Sequence, residues 1–310
     1  MSLTLLFAAG PGALEDYRAP LSDAIAAEGL DATITPEAPP DAVDYIIYAP
    51  ANPLQDFAPY TRAKAVLSLW AGVERIVSNP TLTQPLARMV DPSLTQGMVE
   101  YVCGHVLRYH LGMDAYITAA PGQWVADVPP LASGRHIGLL GLGALGQACA
   151  KALATLGFQV SGWSRRPKSL TGITCLHGDD GLRNLLQQSE ILVTLLPQTP
   201  RTENILDQGT LGLLPHGARI INPGRGTLIN DNALLAALES GQVSHATLDV
   251  FRTEPLPADH PFWHHPHVTV TPHIAAATRP ASASRVIAHN IARVEAGQPL
   301  LHAVARDQGY

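Results

Sequence analysis

The amino-acid sequence predicts an α/β protein of two domains, each built on a parallel sheet covered by helices. Three observations carry this. Short, nearly continuous apolar runs of strand length alternate with helical segments along most of the chain, as in parallel sheets buried on both faces. A long helical pattern over 95–119 divides an earlier set of such runs from a later one. The later set opens on a glycine turn, Gly141-x-Gly143-x-x-Gly146, between a strand pattern and a helix pattern.

In chain order, the first set comprises strands at 3–7 (LTLLF), 44–49 (DYIIYA), 65–69 (AVLSL) and 87–90 (ARMV). A helical pattern covers 14–28, and Pro- and Gly-containing turns separate the runs. In the long helix Met98, Val102, Val106 and Tyr109 fall on one stripe, with Ser93 or Thr95 available as N-cap. Beyond it, strands are expected at 136–140, 158–163, 190–196, 218–222, 245–250 and 268–271. They alternate with helices near 144–156, 181–189, 203–212 and 231–239. The last helix, roughly 280–296, has no strand after it and is expected to return to the first domain. The expected domains are therefore 1–99 with 280–310, discontinuous, and 100–279, each a doubly wound Rossmann-like sheet.

Composition narrows the function classes. Apolar residues make up 46% of the 310 and charged residues 15%, which suits a buried core and argues against extended disorder. The net charge of −6 offers no broad basic face for nucleic acid; Arg165, Arg166 and Lys168 form a local group sized for one phosphate. Cys103, Cys149 and Cys175 show neither disulfide-framework nor zinc-ligand spacing, which fits a reducing cytoplasm. MSLTLLFAAG lacks a cationic leader region and reads as a first strand, and the apolar stretch 137–150 is too short to cross a bilayer. His260, His264, His265 and His267 lie in one loop with irregular spacing and read as loop packing, so no metal site is expected.

RHIGLLGLGALGQACAKALATLGFQV reads as strand, turn, helix and next strand, the context that a dinucleotide fingerprint requires. Gly141 permits the tight turn, Gly143 the approach of a pyrophosphate, and Gly146 close packing of helix on strand. The amides at the helix start, Ala144 and Leu145, then face the phosphates. NAD-binding versions place a carboxylate about 20 residues on. Here FQVSGWSRRPK has none: Ser164 stands at that position, followed by Arg165 and Arg166, which can make charge-assisted contacts to a 2′-phosphate. NADPH is the expected cofactor, in preference to NAD.

INPGRG at 221–226 aims Arg225 from the carboxyl edge of the sheet, where ligands of open α/β sheets bind. A guanidinium there can hold a substrate carboxylate and polarise the adjacent 2-oxo group. His273, in TPHIAAAT, can donate a proton to the carbonyl oxygen as hydride arrives. Glu254, in LDVFRTEPLP, would be its orienting partner, fixing the tautomer and favouring the imidazolium.

With these frames the chain resembles the D-isomer-specific 2-hydroxyacid dehydrogenases, most of all their glyoxylate/hydroxypyruvate reductase A branch. The resemblance extends through LWAGVE at 69–74, DPSLTQGMVEYV at 91–102, WSRRPK at 163–168, LLPQTP at 195–200, TRPA at 278–281 and the closing ARDQGY. It implies a homodimer built largely by the nucleotide domains. It also implies that Ala71 and Gly72 offer backbone amides to the substrate carboxylate, with Trp70 and Met98 bordering a pocket closed to long chains. Asp249 would meet the nicotinamide carboxamide, and Leu196, Pro197 and Asn222 would line the cofactor channel. The expected activity is NADPH-dependent reduction of glyoxylate and hydroxypyruvate to glycolate and D-glycerate. A broader 2-oxoacid reductase is a second reading, and a nucleotide-sensing corepressor-like binding module, needing a partner surface more than turnover, is a third.

Overall fold

The computed structural model describes residues 2–120, 122, 124 and 126–306; of the closing ARDQGY, everything from Asp307 onward lies outside the described residues. In chain order the elements are β1 (Leu3–Ala8), α1 (Ala13–Ala27), β2 (Ala32–Thr35), β3 (Tyr45–Tyr48), β4 (Ala65–Ser68), α2 (Glu74–Val77), β5 (Leu86–Ala87), α3 (Pro92–His110) and α4 (Met113–Ile117). They continue with β6 (His136–Leu140), α5 (Ala144–Thr155), β7 (Gln159–Trp163), β8 (Thr174–Leu176), α6 (Gly178–Gln188), β9 (Ile191–Thr194) and α7 (Gln208–Leu211). The last are β10 (Ala218–Asn222), α8 (Asp231–Glu239), β11 (Val243–Leu248), β12 (Val268–Val270) and α9 (Pro280–Glu295). One compact unit runs to Leu94 and resumes at Ala277; the other is Thr95–Ala276.

The discontinuous unit is a five-stranded parallel sheet in the order β2-β1-β3-β4-β5. Its central strand, YIIY, is buried at every residue, as the unbroken apolar run requires. Ala283, Ile287, Ala288 and Ile291 on one face of α9 pack with Tyr17, Leu21, Ala24 and Ile25 of α1 in one apolar cluster. Tyr45 donates to Glu295 Oε1 at 2.5 Å and Lys64 pairs with the same carboxylate at 2.6 Å, pinning the end of α9 to the sheet.

In the continuous unit seven parallel strands run β12-β11-β10-β9-β6-β7-β8. The chain enters at β6, moves outward to β8, then crosses back to β9, so the strand order reverses between β6 and β9. Ligands of such sheets bind at the carboxyl ends of the strands beside this reversal. Both sheets are parallel and helix-covered, as the alternation predicts. The stripe of α3 is likewise as expected: Met98, Val102, Val106 and Tyr109 are all buried.

Several boundaries differ from expectation. Helix α3 begins at Pro92, not near 95, because Asp91 caps it, accepting from the amides of Ser93 at 3.0 Å and Leu94 at 3.2 Å. It ends at His110, where Gly112 turns left-handed (φ 64°), and only the short α4 follows. The helix expected over 203–212 shrinks to α7, because Asn204 is left-handed (φ 51°) and Asp207 and Thr210 form a capping box. Strand 87–90 stops at Ala87, since Arg88 N bonds to His302 O and Met89 N to Trp70 O. Strands β2 and β8 were not expected.

One packed side chain makes an acid-stability prediction. Burial pushes the His245 imidazole down to about 4, where its ring lies 5.4 Å from that of Tyr109 and its Nε2 is 3.0 Å from Thr269 Oγ1. A folded-state value below the unfolded one makes protonation favour unfolding. Its stabilising effect is therefore full above about 6.5 and is lost as pH falls from there toward about 4. The expected loss between pH 7 and 4.5 is roughly 2 kcal/mol, order-of-magnitude. Urea unfolding of His245→Gln should show a shallower acid slope than wild type; parallel slopes would show that His245 is not responsible.

Candidate functional site

The glycine turn after β6 has the shape its spacing demands. Gly141 is left-handed (φ 110°), and a Cβ there would meet Leu195 O at 2.6 Å. A Cβ on Gly146 would come within 1.9 Å of Gly141 O, so only glycine lets α5 pack onto the turn. At Gly143 the Cβ direction is open space, and α5 starts there without a side-chain cap. Ala144 and Leu145 form its first turn, one exposed and the other half-buried. Room beside an uncapped helix start is what a pyrophosphate needs. The Lys168 ammonium donates to Leu142 O, bringing a cation onto the same turn.

The end of β7 carries Ser164, Arg165 and Arg166. Ser164 is buried, and its hydroxyl donates to Arg166 O at 2.8 Å. That hydroxyl is thus spent on folding the turn, while both arginine residues are exposed. At the end of β9, Leu196 is buried and Pro197 half-buried, with Pro197 O accepting from Thr202 Oγ1 at 2.7 Å.

Arg225 follows β10 in extended backbone, half-buried, its Nη1 donating to Gly224 O at 2.6 Å. The turn that presents it is built by Asn222. Asn222 Nδ2 donates to Arg225 O at 3.1 Å, while Oδ1 accepts from Thr194 Oγ1 at 2.6 Å and Gly224 N at 3.1 Å. In this structure Asn222, expected along the cofactor channel, is buried and shapes the arginine turn.

His273 and Glu254 meet: His273 Nδ1 lies 2.8 Å from Glu254 Oε2, with 52% and 30% of the two side chains exposed. Glu254 is steadied by Phe251 N, which donates to its Oε1 at 2.9 Å. His273 is left-handed (φ 55°), unusual outside glycine, and the surroundings fix it there. Its amide donates to Asp249 O at 2.9 Å. The Asp249 carboxylate accepts from Thr271 Oγ1 at 2.6 Å, Ile274 N at 2.9 Å and Ala275 N at 2.9 Å. Tyr101 OH lies 2.7 Å from Thr271 Oγ1. Asp249, expected at a nicotinamide, is 0% exposed and holds the His273 loop from both sides. Sequence reasoning missed Thr271 and Tyr101. Thr271 stood two residues before His273 in TPHIAAAT, and Tyr101 lay in the DPSLTQGMVEYV stretch with nothing to mark its partner.

Met98 is 5% exposed and sits in the core of the continuous unit with Val102 and Leu139. In the discontinuous unit, Trp70 is 42% exposed after β4. Its amide and carbonyl are both tied to Ser68 Oγ at 3.0 Å, and Met89 N donates to the same carbonyl at 3.0 Å. Ala71 and Gly72 follow, half-buried, before α2. Among the described residues no cluster of His, Cys, Asp or Glu could hold a metal ion, and no helix is long and apolar enough to cross a membrane.

The sequence profile of the D-isomer specific 2-hydroxyacid dehydrogenase NAD binding domain matches residues 107–275. A glyoxylate/hydroxypyruvate reductase A of Yersinia enterocolitica is 41% identical over 266 residues, 83% of this chain and 85% of that protein. A D-isomer specific 2-hydroxyacid dehydrogenase of Xanthobacter autotrophicus, crystallised with NADPH and MES, is similar at TM-score 0.94 with 39% identity over 100% of both chains. An NADPH-dependent glyoxylate/hydroxypyruvate reductase of Sinorhizobium meliloti, crystallised with NADP and sulfate, is similar at TM-score 0.90 with 32% identity over 100% of both.

Proposed function

The chain belongs to the D-isomer specific 2-hydroxyacid dehydrogenase family, and from that premise we propose that it reduces glyoxylate and hydroxypyruvate to glycolate and D-glycerate with NADPH. The observation that carries the reading is the His273–Glu254 pair at 2.8 Å on the same sheet edge as Arg225 and the open glycine turn. We assign Thr95–Ala276 as the dinucleotide-binding domain and the discontinuous unit as the substrate domain.

When bound, NADPH supplies the hydride. Gly141, Gly143, Ala144, Leu145 and Gly146 would hold its pyrophosphate, Arg165 and Arg166 its 2′-phosphate, and Ser164 the turn that presents them. Leu196, Pro197, Asn222 and Asp249 would border the rest. Arg225 binds the substrate carboxylate and draws electron density from the 2-oxo group. Because Nδ1 of His273 faces Glu254, Nε2 is the nitrogen left to protonate the carbonyl oxygen as the C–H bond forms. Glu254 fixes the ring and balances its charge.

A substrate panel with NADPH and NADH tests this. Glyoxylate and hydroxypyruvate should show kcat/KM above 2-oxoglutarate and branched 2-oxo acids by roughly tenfold or more. Comparable kcat/KM for 2-oxoisocaproate would refute the small pocket and point to a broader reductase.

We further propose a cytoplasmic homodimer. Its support is a run of exposed apolar side chains in the continuous unit: Leu111, Met113, Tyr116, Ile117, Val128 and Leu131. Sedimentation at twice 32.9 kDa is the expected result.

A further inference from the structure

We propose that Arg252 is a positioning residue that locks the Arg225 turn to the Glu254 loop, and so sets the distance between the carboxylate-binding and proton-donating ends of the site. The inference rests on the roles proposed for Arg225, Glu254 and His273. Arg252 lies two residues before Glu254, yet its guanidinium reaches away from it. Nη2 donates to Asn204 Oδ1, to Ile229 O at 2.8 Å and to Thr227 O at 3.4 Å. Thr227 and Ile229 belong to the segment that leaves Arg225. Carboxylates stand on two further sides, Asp231 at 3.6 Å from Nε and Glu203 at 3.8 Å from Nη1. One planar cation therefore joins three loops that leave the ends of β9, β10 and β11, a task that suits five donors in a rigid fork.

The backbone below this knot leaves no room for a side chain at Gly226. A Cβ on Gly226 would lie 2.0 Å from Phe251 C and 2.4 Å from Arg252 N, so the residue after Arg225 rests directly on the segment that begins the Glu254 loop. Phe251 N in turn holds Glu254 Oε1 at 2.9 Å. Glycine gives this contact no side chain to hold it in register. Arg252 clamps it from above, and Asn204 N, donating to Thr227 O at 2.9 Å, braces the same carbonyl. With its donors turned to these acceptors, Arg252 acts through Arg225 and Glu254 rather than on substrate.

The test compares Arg252→Gln, Arg252→Lys and Asn204→Gly with wild type and with His273→Ala. Asn204→Gly keeps the left-handed backbone (φ 51°) while removing one acceptor, so it remains informative if Arg252→Gln does not fold. Arg252→Gln should lower kcat/KM for glyoxylate by roughly 10–100-fold, the scale for reacting groups misplaced by about an ångström, and KM for NADPH should stay within about twofold. Lysine should recover part of the loss, and Asn204→Gly should show a smaller loss of the same kind. A wild-type kcat/KM for Arg252→Gln, or an equal loss of NADPH binding, overturns the inference. If His273→Ala also retains turnover, the underlying site reading fails instead; if His273→Ala is inactive, the failure belongs to Arg252 alone.

Discussion

Replacing His273 by alanine should lower kcat for glyoxylate reduction by about 10²–10⁴, the usual worth of a positioned general acid. Its KM for NADPH should hardly change, because the glycine turn and the Arg165–Arg166 turn sit at other strand ends of the sheet. The split follows from geometry. His273 is presented by its own loop, fixed by Asp249 and Thr271, so removing the imidazole leaves the backbone network in place. Glu254→Gln should be milder, since an amide can still accept from Nδ1 but no longer balances a cation. Stopped-flow single turnovers with NADPH in excess read the chemical step directly. Near-wild-type turnover by His273→Ala would move the general acid to another side chain.

The sequence made much of this site legible because backbone constraints write themselves into residue types. Gly141, Gly146, Gly224 and Gly226 each lie where a Cβ would strike backbone within 3 Å, and those glycines frame the motifs. Fully buried strands such as YIIY and ILVT announce themselves by nearly unbroken apolar runs. Strands β2 (ATIT) and β8 (TCL) did not, because they lie at sheet edges and leave side chains partly exposed, so no apolar run marks them. The supporting shell was harder still. Asn222 and Asp249 could be placed near the site, but that their side chains are spent inside their own turns depends on partners up to 28 residues away, Thr194, Ile274 and Ala275 among them. The place of Arg252 had no sequence signature, since two of its acceptors are backbone carbonyls and its side-chain partners lie 21–49 residues away.

Cofactor choice should reside in two exposed side chains at the end of β7. Arg165→Ala/Arg166→Ala should raise KM for NADPH by roughly 10²-fold, taking about 1.5 kcal/mol for each charge-assisted contact, the low end of the range because both groups meet solvent. KM for NADH should move by no more than about twofold, since that nucleotide has no 2′-phosphate for the cations to meet. The neighbourhood supports the asymmetry. Residues 159–170 contain no carboxylate to hold ribose hydroxyls, and Ser164, in the position where one would stand, has turned its hydroxyl inward to Arg166 O. Lys168 is docked on Leu142 O at the glycine turn, so some attraction for phosphate should survive the double substitution, and adding Lys168→Ala should deepen the loss for NADPH. Salt offers an independent reading: raising ionic strength should weaken NADPH binding in wild type more than in the double variant, because an exposed contact between a dianion and guanidinium groups is screened and a neutral hydrogen bond is not. Equal rises in KM for both cofactors would mean that the arginine pair only shapes the turn, and would shift the basis of NADPH preference to another part of the nucleotide domain.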